Sequence, residues 1–330
     1  MSLSRGAIGI VLLLVVALLW VSSSFLIQYI FGEVHYDKPL FLTYISTSFF
    51  SIYLLPTACN RICFRRNSFV SPSADDNFSN EQVTKVYALN ILQFGVLWLV
   101  ANYLFNLALD RTSVASNSIL STLSNVFTLF LAAYLRIEKL SLLKFVYVLL
   151  NFVGVVSVTW SDSSSRGSRT LVGDTFSILS ALFYSFYVLF LQAKLMKSSP
   201  LDISEVFGWM GLLMMIILLP VVFLWSLLDF EKFAVPSMKS FLFLIMNALI
   251  GTVLSDYLWA LAVVYTSPVL ATMALSLTIP LSTLLDTLRG KTHFSSLYFF
   301  GACCVFSGFI GLAWENRKEE LSRENVNSMS

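Results

Sequence analysis

Asp256 leads the residues able to do chemistry, as a carboxylate set inside the apolar stretch 240–264. An Asp at the centre of a membrane-spanning helix costs roughly 2.5–3.5 kcal/mol, so its retention there asks for a purpose. Trp259 follows three residues later, on the same face of a helix. A carboxylate beside an indole face suits a cation, through charge pairing and attraction to the ring. The other reading is a protonated Asp256, or one bonded to a neighbouring helix's Ser or Tyr hydroxyl as interhelical glue.

Amides come next. Asn102 and Asn106 are four residues apart, on one face with Trp98, and Ser113, Asn117, Ser121 and Asn125 recur every fourth residue, followed by Thr128. Such a stripe either lines a watery cavity or lets helices approach closely; the serines read as packing and the two asparagines as cavity groups. Trp20, Tyr184 and Tyr187 offer flat surfaces on which a substrate ring could stack, against the alternative that they face lipid or neighbouring helices. Pro280 and Pro220 each remove a backbone donor within an apolar stretch, giving a bend or an exposed carbonyl. Asp286 can pair with Arg289, Glu138 with a local cation, and Lys291 is a candidate attractor for an anion.

Other chemistry is poorly provided for. The two histidines, His35 and His293, fall in expected outer loops without a catalytic partner nearby. No metal site or cofactor is expected, since Cys59 and Cys63 lack a second Cys or His pair and Cys303 and Cys304 lie inside an apolar stretch. Arg289-Gly290-Lys291-Thr292 resembles the end of a phosphate-binding loop, but Leu stands at position 285 where that loop needs Gly.

The elements that must position these groups follow from composition. With 57% hydrophobic, 15% aromatic and 12% charged residues, the chain cannot cover itself as a soluble surface and reads as an integral membrane protein. Stretches long enough to span fall near 7–27, 40–57, 86–109, 113–135, 142–160, 172–193, 206–228, 240–264, 267–288 and 294–314. The first is read as a retained anchor, because its apolar run continues past Ser24 with no small-residue cleavage site. The segment 60–84, with Asp75, Asp76 and the sequon at Asn77, reads as a disordered cytosolic loop, and the residues after Trp314 as a solvated tail. Lys and Arg are more frequent in the loops on the side of the N-terminus, mostly through Arg61, Arg65, Arg66 and Lys85, which puts both termini in the cytosol.

The spans repeat. Asn102-Tyr103-Leu104 through Ala108 and Thr112-Ser113 recur 154 positions later as Asp256-Tyr257-Leu258 through Ala262 and Thr266-Ser267. The same offset pairs Gly154 with Gly308 and Trp160 with Trp314, and an offset of 164 pairs Gly9, Ala17, Trp20 and Gln28 with Gly173, Ala181, Tyr184 and Gln192. Two five-span halves must insert in opposite orientations, so the expected fold is all-α, with ten transmembrane helices as two inverted five-helix repeats. The first repeat occupies 1–161 with a cytosolic loop at 58–85, the second 162–316, and a tail 317–330.

These residues resemble the drug/metabolite transporter superfamily, the EamA-like proteins. Tyr103-Leu104-Phe105-Asn106 through Asp110, Ser121-Thr122-Leu123-Ser124, Phe127-Thr128-Leu129, and Gly173-Asp174 with Ser180-Ala181-Leu182-Phe183-Tyr184 and Tyr187 are similar to solute carrier family 35, subfamily F. The resemblance implies a ten-helix transporter with cytosolic termini, in an internal membrane such as Golgi or vacuole. It also implies that the substrate is a small polar organic solute, a cation such as thiamine or, alternatively, a nucleotide sugar exchanged for a nucleoside monophosphate, where Lys291 would matter. A membrane enzyme and a non-transporting receptor are the competing classes. Expected partners are the substrate and the bilayer, not nucleic acid; a homodimer stays open.

Overall fold

The structure, a computed structural model, describes residues 5–33, 36, 38–55, 74–112, 114–161, 171–195, 203–229, 235–288 and 295–329. The side chain of Asn106 lies outside that part, as do the side chains of Asn77 and Asp286 and the whole of His35, Cys59, Cys63, Ser113, Arg289, Lys291, Thr292 and His293.

Thirteen α-helices are present among the described residues: α1 Arg5–Gly32, α2 Pro39–Ser48, α3 Ala74–Arg111, α4 Val114–Ser121, α5 Leu123–Tyr134, α6 Leu142–Ser161, α7 Leu171–Phe190, α8 Ile203–Leu227, α9 Met238–Met246, α10 Ser255–Tyr265, α11 Pro268–Ser276, α12 Thr278–Leu288 and α13 Ser296–Met329. A 3₁₀ turn at Phe49–Tyr53 extends α2, and π-helical stretches at Leu191–Leu195 and Asn247–Leu254 follow α7 and join α9 to α10. Counting α4–α5, α9–α10 and α11–α12 as single passes gives the ten expected passes. Hydrocarbon offers no partner for a free backbone group, so each crossing must close its hydrogen bonds within the segment.

Two ends differ from expectation. Helix α3 begins at Ala74, inside the stretch read as disordered, and α13 runs on to Met329, through the residues read as a solvated tail. Two of the tail's residues find partners, Asn316 Nδ2 donating to Ser267 Oγ at 2.8 Å and Glu319 meeting Lys144, while Arg317, Lys318, Leu321 and Ser322 are exposed as expected.

The fourth and ninth passes are broken at matching places. In the fourth, Thr122 N turns back to Ile119 O at 3.2 Å and its hydroxyl takes the same carbonyl at 2.6 Å, while Ser121 Oγ takes Ser118 O. Hydroxyls that compete in this way for helix carbonyls bend the helix. In the ninth the break falls at Leu277, whose N–H bonds Ala274 O; Pro280 has no N–H for the carbonyl four residues earlier. Pro220 is accommodated within α8.

The chain forms two compact units, and neither is one repeat. The first unit contains Met1–Val21, Leu97–Ala193 and Leu258–Ser330; the second contains Ser22–Val96 and Lys194–Tyr257. Inside the first unit the repeats exchange equivalent contacts. A Cβ on Gly9 would fall 2.5 Å from Thr266 Cγ2, and one on Gly173 would fall 2.8 Å from Thr112 Cβ; each pair is the other's image under the two offsets. Likewise a Cβ on Gly154 would lie 2.6 Å from Gly301 O, and one on Gly308 would lie 2.8 Å from Tyr147 O. Small residues at these points let α6 and α13 cross backbone against backbone. Swapped contacts of this kind are what a two-fold relation between inverted halves produces.

In the second unit Gly208 and Gly211 of α8 sit against Leu54 and Phe50, and Phe207 packs between Phe50 and Phe94 at centroid distances of 5.0 and 5.8 Å.

Candidate functional site

The first unit gathers four of the expected aromatic residues. Trp259, 1% exposed, lies against Tyr187 with centroids 5.5 Å apart and planes 8° apart. Tyr184 and Trp20 approach the same indole at 6.0 and 6.5 Å in tilted geometries, and Tyr184 and Tyr187 are 5.7 Å apart. Helical spacing explains the pairing of the tyrosines: residues three apart share a face of α7. Trp20 joins from α1 and Trp259 from α10, so three elements build one cluster. The indole Nε1 is buried without a hydrogen-bond partner among the described residues.

The polar stripe of α4 and α5 meets other helices of that unit. Ser177 Oγ donates to Asn117 Oδ1 at 2.6 Å, leaving Asn117 Nδ2 buried and unpartnered. Asn125 Nδ2 donates to Ser276 Oγ at 3.0 Å and to Asn151 Oδ1 at 3.2 Å, while its own Oδ1 is unpartnered, as is Thr128 Oγ. Asn125 thereby links α5, α6 and α11 beside both helix breaks. Asn102 turns its amide to Trp98 O on its own helix, at 2.9 Å. The serines act as joints, with Ser185 Oγ reaching Ser124 O and Ser180 Oγ reaching Ala101 O.

Asp256 belongs to the second unit, half-buried in the first turn of α10. It lies two residues after the π-helical stretch Asn247–Leu254, where helix widening leaves carbonyls for other donors. Ser255 Oγ takes Gly251 O at 2.6 Å and Thr252 O at 3.2 Å, and Tyr53 Oη donates to Val253 O at 2.9 Å. Tyr53 also packs on Tyr257 at 5.4 Å and interacts electrostatically with Asp256. Ser23 Oγ donates to Asn247 Oδ1 at 2.7 Å, and Gly251 has no side chain because a Cβ there would collide with that Ser23 hydroxyl.

The first unit also holds a buried charge cluster. Lys144, 1% exposed, reaches Glu138 Oε2 at 3.3 Å and Glu319 Oε2 at 3.2 Å. Glu138 Oε1 also accepts the backbone N–H of Val269 at 3.2 Å, in the first turn of α11. Arg136 turns the chain with φ 56°, so that Ile137 and Glu138 bond back to Ala132 O.

Of the residues chosen from sequence, Trp20, Tyr184, Tyr187 and Trp259 come together, Asn117 and Asn125 bridge helices, Asn102 stays on its own helix, and Asp256 sits in the other unit. Asn151, Asn247 and Tyr53, which bond to or beside these groups, were not among the residues chosen. The signal for the two amides was available, since each is an Asn inside an apolar span; Tyr53 carried none, being one aromatic among many.

Ten passes in two inverted repeats, with polar and aromatic groups buried between them, define a multi-pass membrane protein with transporter architecture. The sequence pattern of the EamA-like transporter family matches residues 7–160 and again 171–314, and the chain belongs to that family. It is similar to the thiamine-repressible mitochondrial transport protein of Saccharomyces cerevisiae, 34% identical over 92% of this chain and 90% of that one. An uncharacterized vacuolar membrane protein of the same yeast is 32% identical, over 96% of this chain and 92% of that one. Solute carrier family 35 member F5 of Bos taurus is 30% identical, over 92% of this chain and 76% of that one. A crystal structure of a protein 16% identical superposes with a TM-score of 0.68, covering 94% of this chain and 98% of that one, and shows the fold. The relatives agree with the architecture that this is a transporter.

Proposed function

We propose that the chain is a secondary-active transporter that moves a small polar organic solute by alternating access, with a cation such as thiamine as the first substrate to try. The observation that carries the reading is the ring cluster around Trp259, whose half-buried members Trp20 and Tyr184 offer flat, electron-rich surfaces suited to an organic cation. Asp256 supports it as a carboxylate held half-buried in an apolar pass, suited to a cation or a coupling proton. A yeast relative is named as a thiamine-repressible transport protein, a name that links it to thiamine through its repression and states no cargo. An internal membrane, Golgi or vacuole, with both termini cytosolic, completes the proposal; one relative is named for the vacuolar membrane, and Lys and Arg are commoner in the loops on the N-terminal side. Nucleotide-sugar exchange is the second reading; Lys291, the residue it would draw on, lies outside the described residues.

The test is uptake into proteoliposomes holding the purified chain, comparing labelled thiamine with labelled UDP-sugars across an imposed proton gradient. Saturable thiamine uptake is expected. Exchange of a UDP-sugar for its nucleoside monophosphate, without thiamine uptake, would replace this reading.

A further inference from the structure

The Trp259 side chain has one polar atom, the indole Nε1, and that atom is buried without a partner among the described residues, in a residue only 1% exposed. Water is scarce between membrane helices, so a lone buried donor is penalised there. Packing alone does not call for it, because Phe offers a similar ring face without the donor. The parallel Tyr187 ring holds the indole plane, and an N–H lies in that plane, directed from the ring edge. Asn117 and Asn125 also carry unpartnered atoms, but the other half of each amide is engaged with a neighbouring helix. They are joints first; the indole N–H has no such second duty.

The geometry points to Trp259 as the residue that reads a hydrogen-bond acceptor on the edge of a planar substrate ring. The inference rests on the transport reading and narrows its substrate class to flat ring compounds carrying a carbonyl oxygen or an unprotonated ring nitrogen. An indole donates and cannot accept, so an amine or ammonium acting only as donor leaves it unsatisfied. A site built around such a bond discriminates against analogues that lack the acceptor.

The probes are the N-methylnicotinamide cation, which carries an amide carbonyl; N-methylpyridinium, a related flat cation with no acceptor; and neutral benzamide, which has the carbonyl without the charge. Binding to the full chain in lipid nanodiscs is measured for the wild type and Trp259→Phe. The wild type is expected to bind N-methylnicotinamide about tenfold more tightly than N-methylpyridinium, and Trp259→Phe to bring the two cations within about twofold. Isotope-edited NMR of the wild-type indole N–H groups gives a second readout, in which the shift is read on the wild type and the variant serves only to assign the resonance. N-methylnicotinamide should shift one resonance, the one lost in Trp259→Phe, and N-methylpyridinium should leave it in place.

Equal binding of the two cations by the wild type, discrimination that survives Trp259→Phe, or an indole resonance that no probe moves would overturn the inference; the last is also the result for an N–H resting on a neighbouring ring face. If neither cation binds but benzamide binds and is lost in Trp259→Phe, the acceptor reading stands and the cation reading fails. Absence of thiamine flux with the resonance shift intact likewise sinks the transport proposal alone.

Discussion

Trp259 and Tyr187 lie parallel, 8° apart in plane and 5.5 Å apart at their centroids, although 72 residues separate them in the sequence. The contact brings a residue of the second repeat's third pass against one of its first pass, and Trp20 brings in the first repeat. Removing the indole should therefore loosen three elements at once. Trp259→Ala is expected to cost about 3–5 kcal/mol, and Tyr187→Phe, which keeps the ring and removes only the hydroxyl, about 0.5–1.5 kcal/mol. Thermal unfolding in detergent followed by near-ultraviolet circular dichroism measures both.

Asp256→Asn separates function from packing. Truncating a buried charge that meets a charged partner costs about 2–5 kcal/mol of binding, so thiamine uptake should fall at least about tenfold while the melting temperature stays close to that of the wild type. Undiminished uptake would mean that Asp256 is a structural residue.

The crossing of α6 and α13 should tolerate no side chain at either of its related glycines. Gly154→Val and Gly308→Val, whose added atoms would meet Gly301 O and Tyr147 O, are each expected to cost about 1–3 kcal/mol or more. Similar losses at the two positions are expected from the two-fold relation, and a loss at one alone would show the halves to be unequal there.

Lys144 holds two carboxylates in a place where only 1% of it is exposed. Lys144→Met leaves Glu138 and Glu319 facing each other and should destabilise by about 3–5 kcal/mol, whereas adding Glu138→Gln and Glu319→Gln should recover most of the loss. Melting temperatures of the single and triple variants decide it. A single variant as stable as the wild type would mean that the cluster contributes nothing to the fold.

The passes and the repeats were readable from residue order, because hydrocarbon admits only segments of sufficient apolar length and because Gly9, Gly154, Gly173 and Gly308 keep their spacing. The matched helix breaks were half readable. Pro280 announced one, while the break at Thr122 depends on hydroxyls choosing carbonyls of their own turn, which other serines and threonines in this chain also do without breaking the helix. The residues after Trp314 read as solvated because six of the first seven are charged or amide-bearing; nothing local says that Lys144 awaits one of them.

What the sequence by itself determined is the membrane class, the all-α fold and the inverted halves, since these follow from sums over many residues and from a period that survives the loss of any one of them. The tertiary structure alone decided which polar and aromatic groups meet. It put Trp20, Tyr184, Tyr187 and Trp259 in one cluster, engaged Asn125 with Asn151 and Ser276, and set Asp256 after a widened helix turn beside Tyr53. Those meetings depend on how each helix is rotated and where it breaks, and both are set by packing against neighbours remote in sequence.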